Sequence, residues 1–568
     1  MNSPSSARQR TDSTEERMAP EERESGGLFG TIRLFFAHDR LANALWILTI
    51  VIGYFHGWLK IRFRASWVTF AFDVPLVLAW LVTVFSVGKG RSLFPNCNTS
   101  RLLMGLTAVG IAYVVLPFGM PLTVGLAAFR GWCFIPLVFL IGYHLTRSVR
   151  QIEVYMWFLL ILAMITCFYG MFFQTIEEVM ELMKNDPEFN FRLSGQFYSD
   201  SNGVGTFRRF STFVSSAAFG GALAYSIVFA ISRLTFPGCG WGERIFLVLS
   251  SLFMSYGVVL SGSRSAIVTL VVGFGFTVWY RRGARNVMLL PITFAGIFIY
   301  GVIRLGGGSA ERFATLGNPE ILLTRLYIVA APGIENLIQY PMGGGLGRSG
   351  HGLPVIMYTP ELQAMLRLVD GDMGRYVVDM GIIGLILFVL LVVVGITDAL
   401  KWMEQLRNTM PGLIALPAGS MFILGCVQLS YGSPFLGIPN GVLLWFFMGS
   451  LRRLVEDYGN LKAEAGQEAA DTAPQFASFI AQNRVIPLYR QASRGLPGKM
   501  RGLTNPGLGS TALTPRTATA RIGSLVRSGP KTTPGAVTLD APTRPAAGPI
   551  KRFLFRRPSD TPDRRKKG

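Results

Sequence analysis

Charge is scarce in this chain: Asp, Glu, Lys and Arg make up 15% of its 568 residues, while half of the residues are apolar. Water-soluble domains carry about a quarter charged residues, so the composition excludes an ordinary soluble globule and points to an integral membrane protein. Cysteine is also sparse. The five (Cys97, Cys133, Cys167, Cys239, Cys426) have no paired spacing, and four lie in or beside apolar runs. Neither a disulfide framework nor a zinc site is indicated. Only four histidines occur, with no HExxH motif, and there is no Walker loop, so neither a metallohydrolase nor a nucleotide-driven pump is indicated. Acidic residues are outnumbered, 33 against 54 basic, which invites a nucleic-acid reading. The distribution argues against it: from Ala481 onward there are 18 Lys and Arg against 3 Asp, so most of the +21 sits in one tail. The N-terminal segment is polar and charged through Ser25 without a signal-peptide pattern, so the first membrane helix is expected to direct insertion.

Long apolar runs supply the architecture. They fall at 41–59, 67–87, 102–120, 123–145, 153–174, 212–234, 245–262, 265–281, 286–304, 377–397, 411–430 and 435–450. The expected fold is all-α, a polytopic bundle of about twelve transmembrane helices. Basic residues in the short loops favour cytoplasmic termini. The loops assigned inside hold Lys89, Arg91 and Arg101; Arg147 and Arg150; Arg233 and Arg244; Arg281, Arg282 and Arg285; and Lys401 and Arg407. Lys60, Arg62 and Arg64 disagree with that orientation, which a re-entrant or interfacial first element would repair.

Three parts follow: a segment 1–40 expected on the cytoplasmic side, a transmembrane domain 41–455, and a basic tail 456–568. Within the second part, the loop 305–376 is too long to be a plain connection. Its apolar stretches, such as Ile321-Leu-Leu, are compatible with helices, so an ordered periplasmic cap is expected. The tail is rich in Pro, Gly, Ser, Thr and Arg without periodicity and reads as disordered. Its clusters Lys551-Arg552, Arg556-Arg557 and Arg564-Arg-Lys-Lys567 suit anionic lipid, and equally a solvated tail without a partner.

The residues that carry chemistry collect on the outer side of this layout. Arg264 sits in Leu260-Ser-Gly-Ser-Arg-Ser-Ala266, between two apolar runs. A guanidinium at the mouth of a membrane cavity calls for an anionic partner, and its planar fork suits phosphate or pyrophosphate. The competing reading is an arginine snorkelling into headgroups. Arg208 and Arg209 precede the sixth run, and Arg325 lies in the cap upstream of Gly343-Gly-Gly-Leu-Gly-Arg-Ser-Gly-His351. Such a glycine run lets backbone N–H groups approach an anion, or is a flexible turn. Asp73 and Arg130 fall at matching depth, roughly 10 Å below the outer surface at 1.5 Å per helical residue. Opposite charges there can pair, fixing helix packing or gripping a ligand.

Four segments together resemble the O-antigen ligase and O-antigen polymerase superfamily of bacterial glycan-joining enzymes. Leu260-Ser-Gly-Ser-Arg-Ser-Ala266 resembles its Ser-Arg motif between adjacent helices. Arg209-Phe-Ser-Thr-Phe213 resembles its Arg-x-x-Gly-Thr-Phe segment, with Ser211 where glycine is usual. Tyr340-Pro-Met-Gly-Gly-Gly-Leu-Gly347 resembles the Pro-x-x-Gly-x-Gly run of its large periplasmic loop. Asp379-Met-Gly-Ile-Ile-Gly384 resembles the Glu-x-Gly-Leu-Ile-Gly lead-in to the next helix. They span about a third of the chain, in the family's order.

The resemblance implies a donor glycan on undecaprenyl pyrophosphate, moved onto an acceptor hydroxyl without metal or cofactor. It also implies a possible chain-length regulator as partner. Arg209, Arg264 and Arg325 are the expected cations for the leaving group, with Arg208 and Arg130 beside them. Ligases of the family place a histidine nine residues before the Glu. Asp370 stands there in this chain, which resembles the polymerase branch and leaves Asp370 or Asp372 as the expected base, with His351 a weaker substitute. The alternatives are a ligase acting on lipid A core and, in another class, a lipid-linked-oligosaccharide transporter. Against transport stand the absence of a repeat between halves and the position of the largest loop.

Overall fold

A computed structural model describes residues 40–63, 68, 70–87, 92–116, 118–177, 179–180, 197–199, 205–235, 239–281, 319–351, 353, 359–367, 369, 371–407, 412–429 and 433–471. The chain divides into units Met1–Arg484 and Val485–Gly568, and the second lies outside the described residues.

The described part is helical apart from one two-stranded hairpin. In chain order it comprises α1 (Arg40–Phe63), α2 (Asp73–Phe85), α3 (Asn98–Val115), α4 (Leu122–Leu145), α5 (Val149–Phe172), strands β1 (Phe197–Ser199) and β2 (Gly205–Phe207), and α6 (Ser216–Leu234). There follow α7 (Trp241–Ser261), α8 (Arg264–Tyr280), α9 (Pro319–Gln339), α10 (Pro360–Met365), α11 (Asp372–Leu406), α12 (Gly412–Gln428) and α13 (Asn440–Asp471). Seven of these (α1, α3, α4, α5, α6, α7 and α11) are long and apolar enough to cross a membrane. Eleven of the twelve apolar runs fall on helices, and 286–304 lies outside the described residues.

Packing shows which solvent these helices meet. Ile382, Ile386, Val389, Leu390 and Val393 of α11 are exposed at helical spacing, so one face of that helix is an apolar stripe that belongs in lipid. Inside, α13 runs against α4, its residues Val442–Met448 buried. Two glycines allow this approach. A Cβ on Gly142 of α4 would strike the Phe446 carbonyl of α13, and one on Gly449 would strike the Phe139 carbonyl. Small residues that let backbones meet are how helices associate where lipid is as apolar as leucine. Trp46 of α1 stacks on Phe446 with centroids 4.2 Å apart, tying a third helix to this seam.

Cross-bundle contacts define two ends. At one, Asp398 of α11 accepts from the Thr99 amide and hydroxyl of α3, Arg233 pairs with Glu153 and Glu243, and Arg407 donates to the Tyr280 carbonyl. At the other, Thr212 donates to the Tyr54 carbonyl of α1, Arg130 of α4 meets Asp73 of α2, and Asp372 of α11 meets Phe435 before α13. Of the basic residues assigned inside, Arg101, Arg233, Lys401 and Arg407 lie at the first end, and the described site residues Arg130, Arg208, Arg264 and Asp372 lie at the second.

The first element narrows the two readings offered for its basic end. α1 runs unbroken through Lys60 and Arg62, so it is not re-entrant. Lys60 instead brings its charge to bear on Asp73, beside Arg130. The segment expected as a cap does contain helices, α9 and α10, while 305–318 and 354–358 lie outside the described residues.

Candidate functional site

The second end of the bundle is organised around a broken helix. α11 turns at Gly381, whose φ of 59° and ψ of −140° are open to glycine and strained for other residues. The break frees backbone groups that the segment 340–351 takes up. Ile382 N–H donates to the Pro341 carbonyl, Gly344 N–H to Val378, and Gly345 N–H to Asp379. A Cβ on Gly343 or Gly381 would collide with the other strand of this contact. The Tyr113 hydroxyl of α3 closes it from outside, reaching the Met342 and Met380 carbonyls at 2.7 and 3.1 Å.

Asp379, fully buried, is the centre of this knot. Its carboxylate accepts from Gly347 N–H (3.1 Å), Ser349 N–H (2.7 Å), the Ser349 hydroxyl (3.1 Å) and Trp132 Nε1–H (2.9 Å). This corrects the reading of the glycine run as a cradle for a ligand anion. The run does bind an anion with its backbone, but the anion is the protein's own Asp379.

Trp132 lies in a π-helical turn of α4, Arg130–Phe134. Such turns realign side chains within a helix and often mark functional sites. Here the turn aims Trp132 at Asp379 while Arg130 faces Asp73, Nη1 to Oδ2 at 2.6 Å. The pair expected from sequence is therefore formed, with about a fifth of each side chain accessible.

His351 and Arg375 sit against the same wall. His351 packs edge-on to Trp132, centroids 5.5 Å apart, and Arg375 Nη1 lies 3.2 Å from His351 Nδ1. A guanidinium only donates, so Nδ1 must accept and the proton must sit on Nε2. Burial pulls the imidazole well below its ordinary pKa, and the charges of Arg375 and Arg130 push the same way. His351 is thus a neutral hydrogen-bond donor, not the substitute base expected from sequence. Its buried Nε2 has no hydrogen-bond partner among the described residues.

A stability consequence follows with a definite sign. Because the folded pKa lies below the unfolded value of about 6.5, the unfolded chain binds the proton first as pH falls. Stability should drop below pH ~6.5, by up to about 1.4 kcal/mol per unit from this group. Thermal unfolding of detergent-solubilised protein between pH 7.5 and 5 should therefore fall less steeply for His351→Gln than for the unsubstituted chain.

Asp372, fully buried, opens α11 three residues before Arg375. Its Oδ2 accepts from Phe435 N–H at 2.9 Å. Oδ1 carries no hydrogen bond among the described residues, with Arg375 Nη1 3.9 Å away. Asp370 lies outside the described residues, as does the side chain of Arg325, which falls on α9.

The remaining arginines form a neighbouring group at the α7–α8 turn. Arg208 reaches the Ser261 carbonyl through Nε at 3.3 Å and lies across Gly262, which ends α7 in the left-handed conformation. Arg264 begins α8, so a cation stands where the helix dipole favours negative charge. Arg209 is in part committed to the fold. Its Nη1 donates to the carbonyls of Gly170, Met171 and Gln174 at 2.6–3.1 Å, closing the C-terminus of α5. That nitrogen is occupied in holding α5, so Arg209 positions the segment before α6. Ser211 in that segment has a φ of +54°, the left-handed region that suits glycine.

Sequence reasoning missed Trp132, Arg375 and Lys60. Arg375 was within reach, because a residue three after Asp372 shares its helical face. Among the described residues, no group of three or more acidic, His or Cys side chains is arranged to hold a metal ion. No family model and no curated protein matches the chain.

Proposed function

We propose that the protein polymerises undecaprenyl-pyrophosphate-linked oligosaccharide repeats at the outer face of a bacterial inner membrane. In this reading both termini are cytoplasmic and the segment 305–376 is a periplasmic cap. One observation carries the reading. Arg130, Arg208, Arg264 and Arg375 and the buried carboxylate of Asp372 gather at one end of a membrane-type bundle.

The chemistry this supports is displacement at an anomeric carbon. An acceptor hydroxyl attacks the carbon, a carboxylate takes its proton, and the bond to the pyrophosphate oxygen breaks. Negative charge then develops on the departing lipid pyrophosphate. Fixed cations in a site shielded from water stabilise such charge without reorganising, and Arg208 and Arg264 are assigned that role. Asp372 is the assigned base because its Oδ1 accepts no hydrogen bond among the described residues, with only the Arg375 guanidinium 3.9 Å away. The energy resides in the pyrophosphate linkage.

Reconstitution with purified lipid-linked repeat units tests the reading. Growth of a product ladder without nucleotide supports a polymerase, whereas movement of intact lipid across the bilayer with no longer product would replace it with transport. Within that assay, Arg264→Lys keeps the charge but loses the bidentate fork. At least a tenfold loss of activity is expected in protein that still inserts and elutes normally. Unchanged activity would return Arg264 to contact with lipid headgroups.

A further inference from the structure

The opposite end of the bundle carries a cavity that the proposed reaction does not use. It lies where the N-terminus of α3, the C-terminal turns of α11 and the middle of α13 converge, and encloses about 180 Å³. Its walls include Arg101, Lys401 and Arg452 against a single carboxylate, Asp398. That carboxylate is already engaged, accepting from the Thr99 amide at 3.1 Å and the Thr99 hydroxyl at 2.7 Å. Three cations therefore share a recess with one acid, whose Oδ2 is committed to Thr99.

The cations are differently held. Arg452 lies over the Trp402 ring, 5.9 Å from its centroid, and its buried Nε has no hydrogen-bond partner among the described residues. Arg101 rests on Asn96 through Nη2 at 2.7 Å, and Lys401 is exposed. Like charges so placed repel one another unless an anion sits between them. The cavity is well below the roughly 300–1,000 Å³ of a drug-sized pocket. It suits a phosphoryl group and its hydration, and no glycan.

We propose that this recess binds a phosphate-bearing anion, its three donors Arg101, Lys401 and Arg452 meeting the phosphoryl oxygens. Basic pockets at helix ends hold anionic lipid headgroups, each basic residue contributing about 1 kcal/mol near the surface. Free phosphate offers the same chemistry. The site is separated by the length of the bundle from the glycan-joining site and does not depend on that assignment.

The test uses full-length protein in detergent, titrated separately with phosphatidylglycerol, phosphatidylcholine and inorganic phosphate. Retained lipid is read by native mass spectrometry and stabilisation by thermal unfolding. Phosphatidylglycerol should be retained at least tenfold more tightly than phosphatidylcholine. The Arg101→Gln/Lys401→Gln double variant should weaken its binding about thirtyfold, two charges at roughly 1 kcal/mol each. These two side chains are exposed, so the variant should fold, and Arg452→Gln adds a half-buried counterpart where it is stable. Stabilisation by inorganic phosphate without lipid preference, lost in the same variant, would identify the source as a soluble anion. Absence of both a lipid preference and stabilisation by inorganic phosphate in the unsubstituted protein, or binding that the double variant retains in full, overturns the proposal.

Discussion

Asp379→Ala is expected to dismantle the end of the bundle that carries the candidate site. The substitution leaves four donors facing a void: two backbone N–H groups, the Ser349 hydroxyl and the Trp132 indole. A buried donor without a partner costs about 1–3 kcal/mol, so the loss should reach at least ~4 kcal/mol. Asp379→Asn should rescue part of this, because its amide oxygen at the Oδ2 position can still accept from Gly347, the Ser349 hydroxyl and Trp132, while its nitrogen faces the Ser349 N–H. The first readout is the thermal unfolding temperature in detergent, expected to fall for both variants. The second is trypsin cleavage after Arg348, which stacks on Tyr340 at 4.1 Å when the segment is docked. A variant that keeps both the unfolding temperature and resistance at Arg348 would show that Gly381 and the backbone bonds hold the segment without the carboxylate.

The contrast between what was legible and what was not follows the range of the interactions. Apolar runs are local, and eleven of the twelve read from sequence fall on helices. The Asp73–Arg130 pair was legible because equal depth on neighbouring helices is nearly a one-dimensional statement. The role of the glycine run was not. An N–H that can approach an anion says nothing about whether the anion is a ligand or an aspartate thirty residues away in the same chain. The structural task of Arg209 was hidden for the same reason, since no local signal shows that its Nη1 faces the carbonyls ending α5. His351 needed its neighbour, for the tautomer follows from Arg375 at Nδ1 and not from the histidine itself. Ser211 is the converse case. The resemblance flagged a position where glycine is usual, and its backbone is left-handed.

The largest effect on activity is expected from Asp372→Asn. The side-chain amide is isosteric and keeps an oxygen to accept from Phe435 N–H, so folding should change little. It cannot take a proton from an acceptor hydroxyl. If Asp372 is the general base, turnover should fall by about 10²–10⁴-fold, with binding of the lipid-linked donor nearly unchanged. Asp370→Asn tests the neighbouring carboxylate in the same assay, and a comparable loss there alone would move the role by two residues. His351→Ala should be tolerated by comparison, because its imidazole is neutral and its Nδ1 lone pair is held by Arg375. The product separates polymerase from ligase. A ladder of repeats on undecaprenyl pyrophosphate, formed without lipid A core, is expected. Active Asp370→Asn and Asp372→Asn variants, an inactive His351→Ala variant, and product only when lipid A core is supplied would together make the protein a ligase. The assignment of both the base and the reaction would then be reversed.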